Sequence, residues 1–177
     1  MASELRVDRI IPTTGAPTDG GGGIIQTVFG EKSGEVTITT TTFQDTGLTA
    51  TITPKFNTSK ILVIIDQPYH MSRSADTCSG GFKVLRGSTE IATPNGTAGS
   101  GGENPYACSY EAGGANNMSI IDRWTWIKLD EPASTSALVY KVQMACQTGN
   151  NSGRIRAQYS GTSGSQKGYI TLLEISA

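Results

Sequence analysis

Period-two alternation of apolar and polar side chains is the feature that most limits the folds open to this chain. It is clearest over Leu138–Cys146, where one face carries Leu138, Tyr140, Val142, Met144 and Cys146 and the other carries Val139, Lys141, Gln143 and Ala145. Such alternation predicts a strand with one buried face. No window combines apolar residues at helical spacing with freedom from glycine and proline. The sequence therefore predicts an all-β protein.

Further strand signals recur along the chain, at residues 24–29, 36–40, 48–52, 82–86, 90–92, 118–121, 124–129, 155–159 and 169–175. Residues 60–65 are almost continuously apolar, which predicts a central strand covered on both faces. The apolar segment 169–175 is predicted to lie inside a sheet, because an exposed edge of that kind would aggregate. Residues 45–47 are predicted as a turn, and 93–117 as irregular. Nine or ten strands at this spacing are typical of an antiparallel jelly roll or β-sandwich.

The chain divides into two unequal parts, an extended arm over residues 1–23 and a β-sandwich body over residues 24–177. Within the arm, Leu5 and Val7 alternate with Arg6 and Asp8, which predicts one amphipathic strand. Pro12 ends that strand, and the four consecutive glycines at 20–23 are interpreted as a hinge or a close-contact segment. A strand of this kind can add to the sheet edge of another chain.

Composition and charge exclude several classes of function. Fourteen basic and fifteen acidic residues give a net charge of −1, so we expect no nucleic-acid partner and no anionic membrane partner. No apolar run reaches the roughly 20 residues that span a bilayer. The first residues lack the basic-then-apolar character of a secretory signal, and we expect assembly in a cytoplasm. At 36% the hydrophobic content is low for a self-sufficient core.

Neither metal binding nor catalysis is predicted. The cysteines, Cys78, Cys108 and Cys146, have no zinc-like spacing and are interpreted as reduced, partly buried thiols. A nucleophilic triad would have to use His70, the one histidine of the chain. Carboxylate pairs for glycoside cleavage could come from Asp66, Asp76, Glu103, Glu111 and Asp122. The glycine tract lacks the Lys-Ser/Thr of a phosphate loop. We predict no enzyme activity and no cofactor.

Four aromatic residues are the candidate ligand contacts. Trp124 and Trp126 share one face of a predicted strand, and Tyr106 and Tyr110 precede it. Aromatic platforms of this kind stack on sugars, so one hypothesis is contact with a host glycan. The alternative is that both tryptophans fill the sandwich or a subunit interface. Arg154 and Arg156 also share a face, where they could fix the register of a subunit interface.

The opening MASELRVDRI, followed by Pro12, Gly15, Pro17 and the glycine tract, resembles the amino-terminal stretch of small virion proteins of tailed phages, particularly those of cyanobacteria. The resemblance covers about the first 25 residues. Segments 46–54, 59–63 and 168–175 are more generally similar to the carboxyl-terminal jelly rolls of such proteins. These jelly rolls in turn resemble the trimeric C1q and tumour-necrosis-factor architecture. The resemblance implies a homotrimer and carries no catalytic residue.

From these observations we expect a structural virion protein of a tailed bacteriophage, which forms a homotrimeric fibre, knob or head decoration. The expected attachment device to other virion proteins is the arm, through Leu5, Arg6, Val7, Asp8, Ile10 and Ile11. An alternative is a tail adhesin that binds host glycans, and a less favoured one is a polysaccharide hydrolase.

Overall fold

The computed structural model describes residues 23–73, 77–92, 106–110, 118–146, 153–161 and 164–176; of residues 77–79, 106–110 and 118 it describes the backbone. These residues form strands joined by turns and loops, and every strand pairing among them is antiparallel. The described part of the chain is therefore all-β, as the alternation predicts. The strands are β1 (Ile24–Lys32), β2 (Val36–Ile38), β3 (Gln44–Ile52), β4 (Lys60–Arg73), β5 (Thr77–Arg86), β6 (Thr89–Ala92), β7 (Tyr106–Tyr110), β8 (Met118–Asp130), β9 (Leu138–Cys146), β10 (Arg154–Ala157), β11 (Ser160–Gly161), β12 (Gly164–Ser165) and β13 (Gly168–Ile175).

Two sheets pack face to face as a β-sandwich. Sheet A has the order β1–β13–β4–β10–β2, with β8 also paired to β4. Sheet B has the order β3–β9–β5–β6, with β7 also paired to β5. The short strands β11 and β12 form a separate ribbon. Strand β13 lies between β1 and β4, so the predicted interior position of segment 169–175 is confirmed.

Strand β4 is the central strand of sheet A, as its apolar sequence predicts, but it is longer than predicted. Its first half, from Lys60 to Asp66, pairs with β13, and its second half, from Tyr69 to Ser72, pairs with β10. Its other edge pairs with β8 along almost its whole length. Sheet B covers one face of β4, and among the described residues no further layer covers the other face, so the predicted cover on both faces is not found in that part of the chain.

Several other predictions need correction. Segments 118–121 and 124–129 form one continuous strand, β8, because the polar residues between them pair with β4. The segment 93–117, predicted as irregular, contains β7, which pairs with β5. The predicted turn at 45–47 is a bulge inside β3, where Gly47 has a φ of 80° and the Thr46 hydroxyl donates to the Val142 carbonyl at 3.0 Å. Tyr159 lies beyond β10, because Gln158 takes a left-handed conformation with φ 48°.

The core lies between the sheets, where inward side chains from both layers meet. Its largest fully buried members are Tyr140, Phe82, Ile38, Leu48, Ile52, Ile61, Ile65, Met71, Met144, Ile155, Ile170 and Leu172. Each buried aliphatic or aromatic side chain contributes about 1.5–3 kcal/mol to folding. The alternation in β9 is confirmed on its inward face; Ala145, assigned to the other face, is buried as well.

Two buried carboxylates tie the layers and loops together. Glu174 on β13 accepts hydrogen bonds from Gln26 Nε2 at 2.5 Å and from the Lys55 amide at 2.6 Å. Burial by itself raises the pKa of Glu174, but its hydrogen bonds outweigh this effect and lower the pKa overall. Asp130 on β8 accepts hydrogen bonds from Tyr140 and Arg86, both in sheet B.

Candidate functional site

The outer faces of the two sheets differ in chemistry. The outer face of sheet B is mainly polar, and its side chains include Thr49, Thr51, Lys83, Lys141 and Gln143. Lys141 pairs with Asp45 at 3.0 Å, and Lys83 pairs with Glu90. Such a face is typical of a sheet that contacts water on its outer side.

The outer face of sheet A is apolar over its first half. We call this surface the apolar face; its side chains are Phe29, Leu62, Ile64, Ile127, Leu129 and Leu173. Phe29 and Ile127 are each 61% exposed and Leu129 is 45% exposed, while the other three are half-buried. Large contiguous exposed apolar patches are uncommon on monomeric proteins and are enriched at interaction sites.

The register of the strands aligns these side chains in two rows across four strands. One row runs from Leu129 through Leu62 and Leu173 to Thr27. The next row runs through Ile127, Ile64, Thr171 and Phe29. Directly opposed residues in antiparallel sheets have their Cβ atoms about 4.5–5.5 Å apart. Each row therefore forms a mainly apolar ridge, with Thr27 at the end of the first and Thr171 within the second.

A line of ion pairs borders the apolar face in the next row. Arg123 donates to both carboxylate oxygens of Asp66, at 2.7 Å from Nε and 2.6 Å from Nη2. This hydrogen bonding is the main cause that raises the pKa of Arg123. Lys167 pairs with Glu31 at 2.6 Å. The Tyr169 ring stacks on Phe29 with centroids 5.7 Å apart, so it joins the border to the apolar face.

Beyond this border the outer face of sheet A becomes basic. We call this surface the basic end; it consists of His70, Arg154, Arg156 and Tyr159. Strand β10 places Arg156 opposite His70, and the Tyr159 ring lies 4.2 Å from the His70 ring. The Arg156 guanidinium lies 5.4 Å from the Tyr159 ring centroid. The prediction that Arg154 and Arg156 share a face is confirmed.

His70 lies in the basic end and is 6% exposed. Its Nε2 atom is 2.8 Å from Ser119 Oγ, the distance that a serine nucleophile and a general base require. However, Nδ1, which donates to a carboxylate in a catalytic triad, has no hydrogen-bond partner among the described residues. Burial, followed by the charges of Arg156 and Arg154, lowers the pKa of His70, which disfavours the imidazolium that a general base must form.

The carboxylates considered for glycoside cleavage are not brought together as a pair by any contact between described residues. Both carboxylate oxygens of Asp66 accept hydrogen bonds from the Arg123 guanidinium. Asp122 accepts a hydrogen bond from the Arg123 backbone amide at 2.7 Å. Asp76, Glu103 and Glu111 lie outside the described residues. Among those that are described, no three His, Cys, Asp or Glu side chains are grouped to hold a metal ion.

The two predicted tryptophan contacts lie on the inward face of β8, at the rim of the sandwich. Trp124 stacks on the buried ring of Phe82 at 4.7 Å with an interplanar angle of 12°. Trp126 stacks on Trp124 at 6.3 Å, and both indoles are half-buried against the core. Tyr106 and Tyr110 are the first and last residues of β7, for which the structure describes the backbone only.

The arm residues Leu5, Arg6, Val7, Asp8, Ile10 and Ile11 also lie outside the described residues. The body begins with β1, whose first residue, Ile24, is opposite Ile175. This is the end of sheet A that carries the Leu129 row of the apolar face.

The sequence predicts neither the apolar face nor the basic end, since each surface combines residues from several strands. The apolar run at 60–65 is the one local sequence signal of the apolar face, because a strand that is apolar on both faces needs a cover on each of them. The pairing of β10 with β4 joins residues more than 80 positions apart, and nothing local indicates it.

No protein-family model matches the chain, and no curated protein sequence matches it significantly. Within the described parts of the chain there is no helix long and apolar enough to cross a membrane.

Proposed function

We propose that this protein is a non-enzymatic structural component of a tailed-phage particle, and that its body self-associates as a homotrimer through the apolar face of sheet A. The observation that carries the proposal is the contrast between the two outer faces. A sandwich that functions alone in water would have polar outer faces on both sheets. Sheet B meets this expectation, and sheet A presents two apolar ridges instead.

The order of the strands supports a jelly roll of the C1q and tumour-necrosis-factor type for the body. The longer strands of sheet A follow the order β1–β13–β4–β8, and sheet B follows β3–β9–β5–β6. The first and last strands of the body are therefore neighbours, and most successive long strands alternate between sheets. Two Greek keys folded on each other produce this arrangement.

Burial energetics support self-association through this face. Covering a fully exposed aliphatic or aromatic side chain stabilises a complex by about 1.5–3 kcal/mol, and Phe29, Ile127 and Leu129 are all open to solvent in the single chain. The ion pairs of Asp66 and Glu31 are satisfied within the chain, so they can form a polar rim around an apolar centre. Three copies, rather than two, follow from the resemblance to trimeric jelly rolls.

Attachment to the particle is assigned to the arm, on its resemblance to phage virion proteins and on its alternating segment. The arm joins the body at the edge strand β1, so a docked arm would not have to disturb the centre of sheet A.

A glycan-binding adhesin is the second candidate function. It is favoured by the Trp124–Trp126 stack, because both indoles are only partly buried at the rim of the sandwich. Indole rings stack on the apolar faces of sugars. Binding to a glycan array that is lost in Trp126→Ala, with unchanged thermal stability, would support this candidate.

The oligomeric state tests the main proposal. Light scattering at micromolar concentration should give three times the chain mass of 18.6 kDa. The double variant Ile127→Asp/Leu129→Asp should give the monomer mass, because it places charges on both ridges. Val139→Asp is the matched control, since Val139 is 41% exposed on the outer face of sheet B, and this variant should remain a trimer. A wild-type monomer or dimer, or a trimeric double variant, would overturn the proposal.

A further inference from the structure

The basic end contains a guanidinium that has no carboxylate partner among the described residues. Arg86, Arg123 and Arg156 each face a carboxylate, namely Asp130, Asp66 and Glu35. Arg154 is exposed and donates from Nε to Ser72 Oγ at 2.9 Å, and no carboxylate of the described residues lies within ion-pair distance of it. Its terminal nitrogens therefore have no acceptor among the described residues.

Arg156, two residues along β10 on the same face, is only partly neutralised. Its Nε is 3.6 Å from Glu35 Oε1, which is beyond hydrogen-bond distance. Both Glu35 oxygens have other donors, the Thr37 hydroxyl at 3.2 Å and the Ser160 amide at 3.0 Å. The ring of Tyr159 lies beside the Arg156 guanidinium and restricts where it can move.

The two described residues opposite these arginines on β4 carry hydrogen-bonding groups and no carboxylate. His70 lies opposite Arg156 and Ser72 lies opposite Arg154. Because burial and both arginines lower the pKa of His70, the imidazole is neutral at pH 7 and adds no repulsion. In the tautomer in which Ser119 donates to Nε2, the buried Nδ1 carries a proton and lacks an acceptor.

We propose that Arg154 and Arg156 on β10, with Ser72 and His70 opposite them on β4, form a binding site for an oxyanion, the sulfate, phosphate or carboxylate group of a ligand. Arginine holds such groups through two parallel N–H donors, which neither a lysine nor a single hydroxyl can supply. All contacts come from one chain, so the site does not depend on the trimer, and it is separate from the tryptophans considered for glycan stacking.

The chemistry admits two sources, a free inorganic anion or an acidic polysaccharide. Titration calorimetry and thermal denaturation with sodium sulfate, against sodium chloride of equal ionic strength, test the first. Binding of dextran sulfate, against neutral dextran, tests the second. If the natural ligand is a polysaccharide, dextran sulfate should bind more tightly per sulfate group than inorganic sulfate. Equal affinity per sulfate group would identify the free anion as the ligand.

Variants connect the binding to these residues. Arg154→Gln should weaken sulfate or dextran sulfate binding about tenfold, and adding Arg156→Gln should weaken it further, because each change removes charge-assisted hydrogen bonds to the anion. Arg154→Lys should restore only part of the affinity. Lys141→Gln, on the outer face of sheet B, is the charge-matched control and should bind like the wild type. No sulfate-specific effect in either experiment, an unchanged affinity in Arg154→Gln, or an equal loss in Lys141→Gln would overturn the proposal.

Discussion

The hydroxyl of Tyr140 donates a 2.7 Å hydrogen bond to Oδ2 of Asp130, and this bond joins β9 of sheet B to β8 of sheet A. The same carboxylate oxygen accepts from Arg86 at 2.6 Å. Burial, and then the hydrogen bond to Asp130, raises the pKa of Tyr140, so the hydroxyl stays protonated at neutral pH. The two sheets are thus connected by a polar contact as well as by the core.

Replacement of Tyr140 by Phe removes this contact and keeps the ring. We expect the free energy of unfolding to fall by about 1–2 kcal/mol, because Asp130 keeps Arg86 as a donor. Asp130→Asn should cost more, since it also removes the charge that faces Arg86. Urea denaturation of the three proteins measures both effects; equal stability of Tyr140→Phe and wild type would contradict the assigned role.

Gly30 is expected to be intolerant of any side chain. A Cβ at this position would lie 2.5 Å from the Thr49 carbonyl oxygen and 2.7 Å from Ile170 Cγ2, because β1 approaches β3 closely there. We expect Gly30→Ala to destabilise the fold by about 1–3 kcal/mol, the usual cost of overpacking. Gly23→Ala is the control, since the nearest atom to a Cβ there is 3.9 Å away. Urea midpoints that shift equally in both variants would refute the explanation.

His70 should make the stability depend on pH. Its pKa is lowered in the folded protein, whereas an unfolded chain binds the proton near pH 6.5. The unfolded state therefore binds more protons as the pH falls through about 6.5, and the folded state loses stability. Between about pH 7.5 and about pH 5.5, His70→Gln should lose less unfolding free energy than the wild type. Parallel losses in the two proteins would show that His70 is not the cause.

Deletion of residues 1–20 should separate attachment from folding. We expect the truncated protein to remain soluble and trimeric with nearly the same melting temperature, because β1, which completes the edge of sheet A, begins at Ile24. It should fail to enter particles in an assembly reaction that incorporates the full chain. Unfolding of the truncated protein, or its normal incorporation, would each contradict the proposed role of the arm.

The elements of the fold were largely predictable because the buried faces impose their period on the sequence. The alternation of β9 directly predicted Tyr140, Val142 and Met144 as core. The apolar character of β13 predicted its interior place in sheet A. The extent of β8 was not predictable, because the charged residues Asp122 and Arg123 look like a break between two strands until their pairing with β4 is known.

The candidate surfaces were less predictable, because alternation separates two faces but does not say what covers the outer one. Ile127 and Leu129 are consistent with either a buried or an interface position until the partner layer of sheet A is known. The basic end depends on pairing between Arg156 and His70, a contact between distant segments. Trp124 and Trp126 were predicted to share a face, and their stacking on Phe82 required the packing of sheet A on sheet B.

The antiparallel pairing of β1 with β13, from Ile24 opposite Ile175 to Lys32 opposite Gly168, determines how the body would bear mechanical load. If the arm is anchored and the apolar face is held by neighbouring copies, tension enters β1 along its own axis. The ladder hydrogen bonds are perpendicular to that axis, so the tension shears them together. Tension between Ile24 and the end of β13 would instead open the same ladder one bond at a time. On that arrangement the body would resist tension applied through its arm against its neighbours and would yield to tension applied between Ile24 and the end of β13.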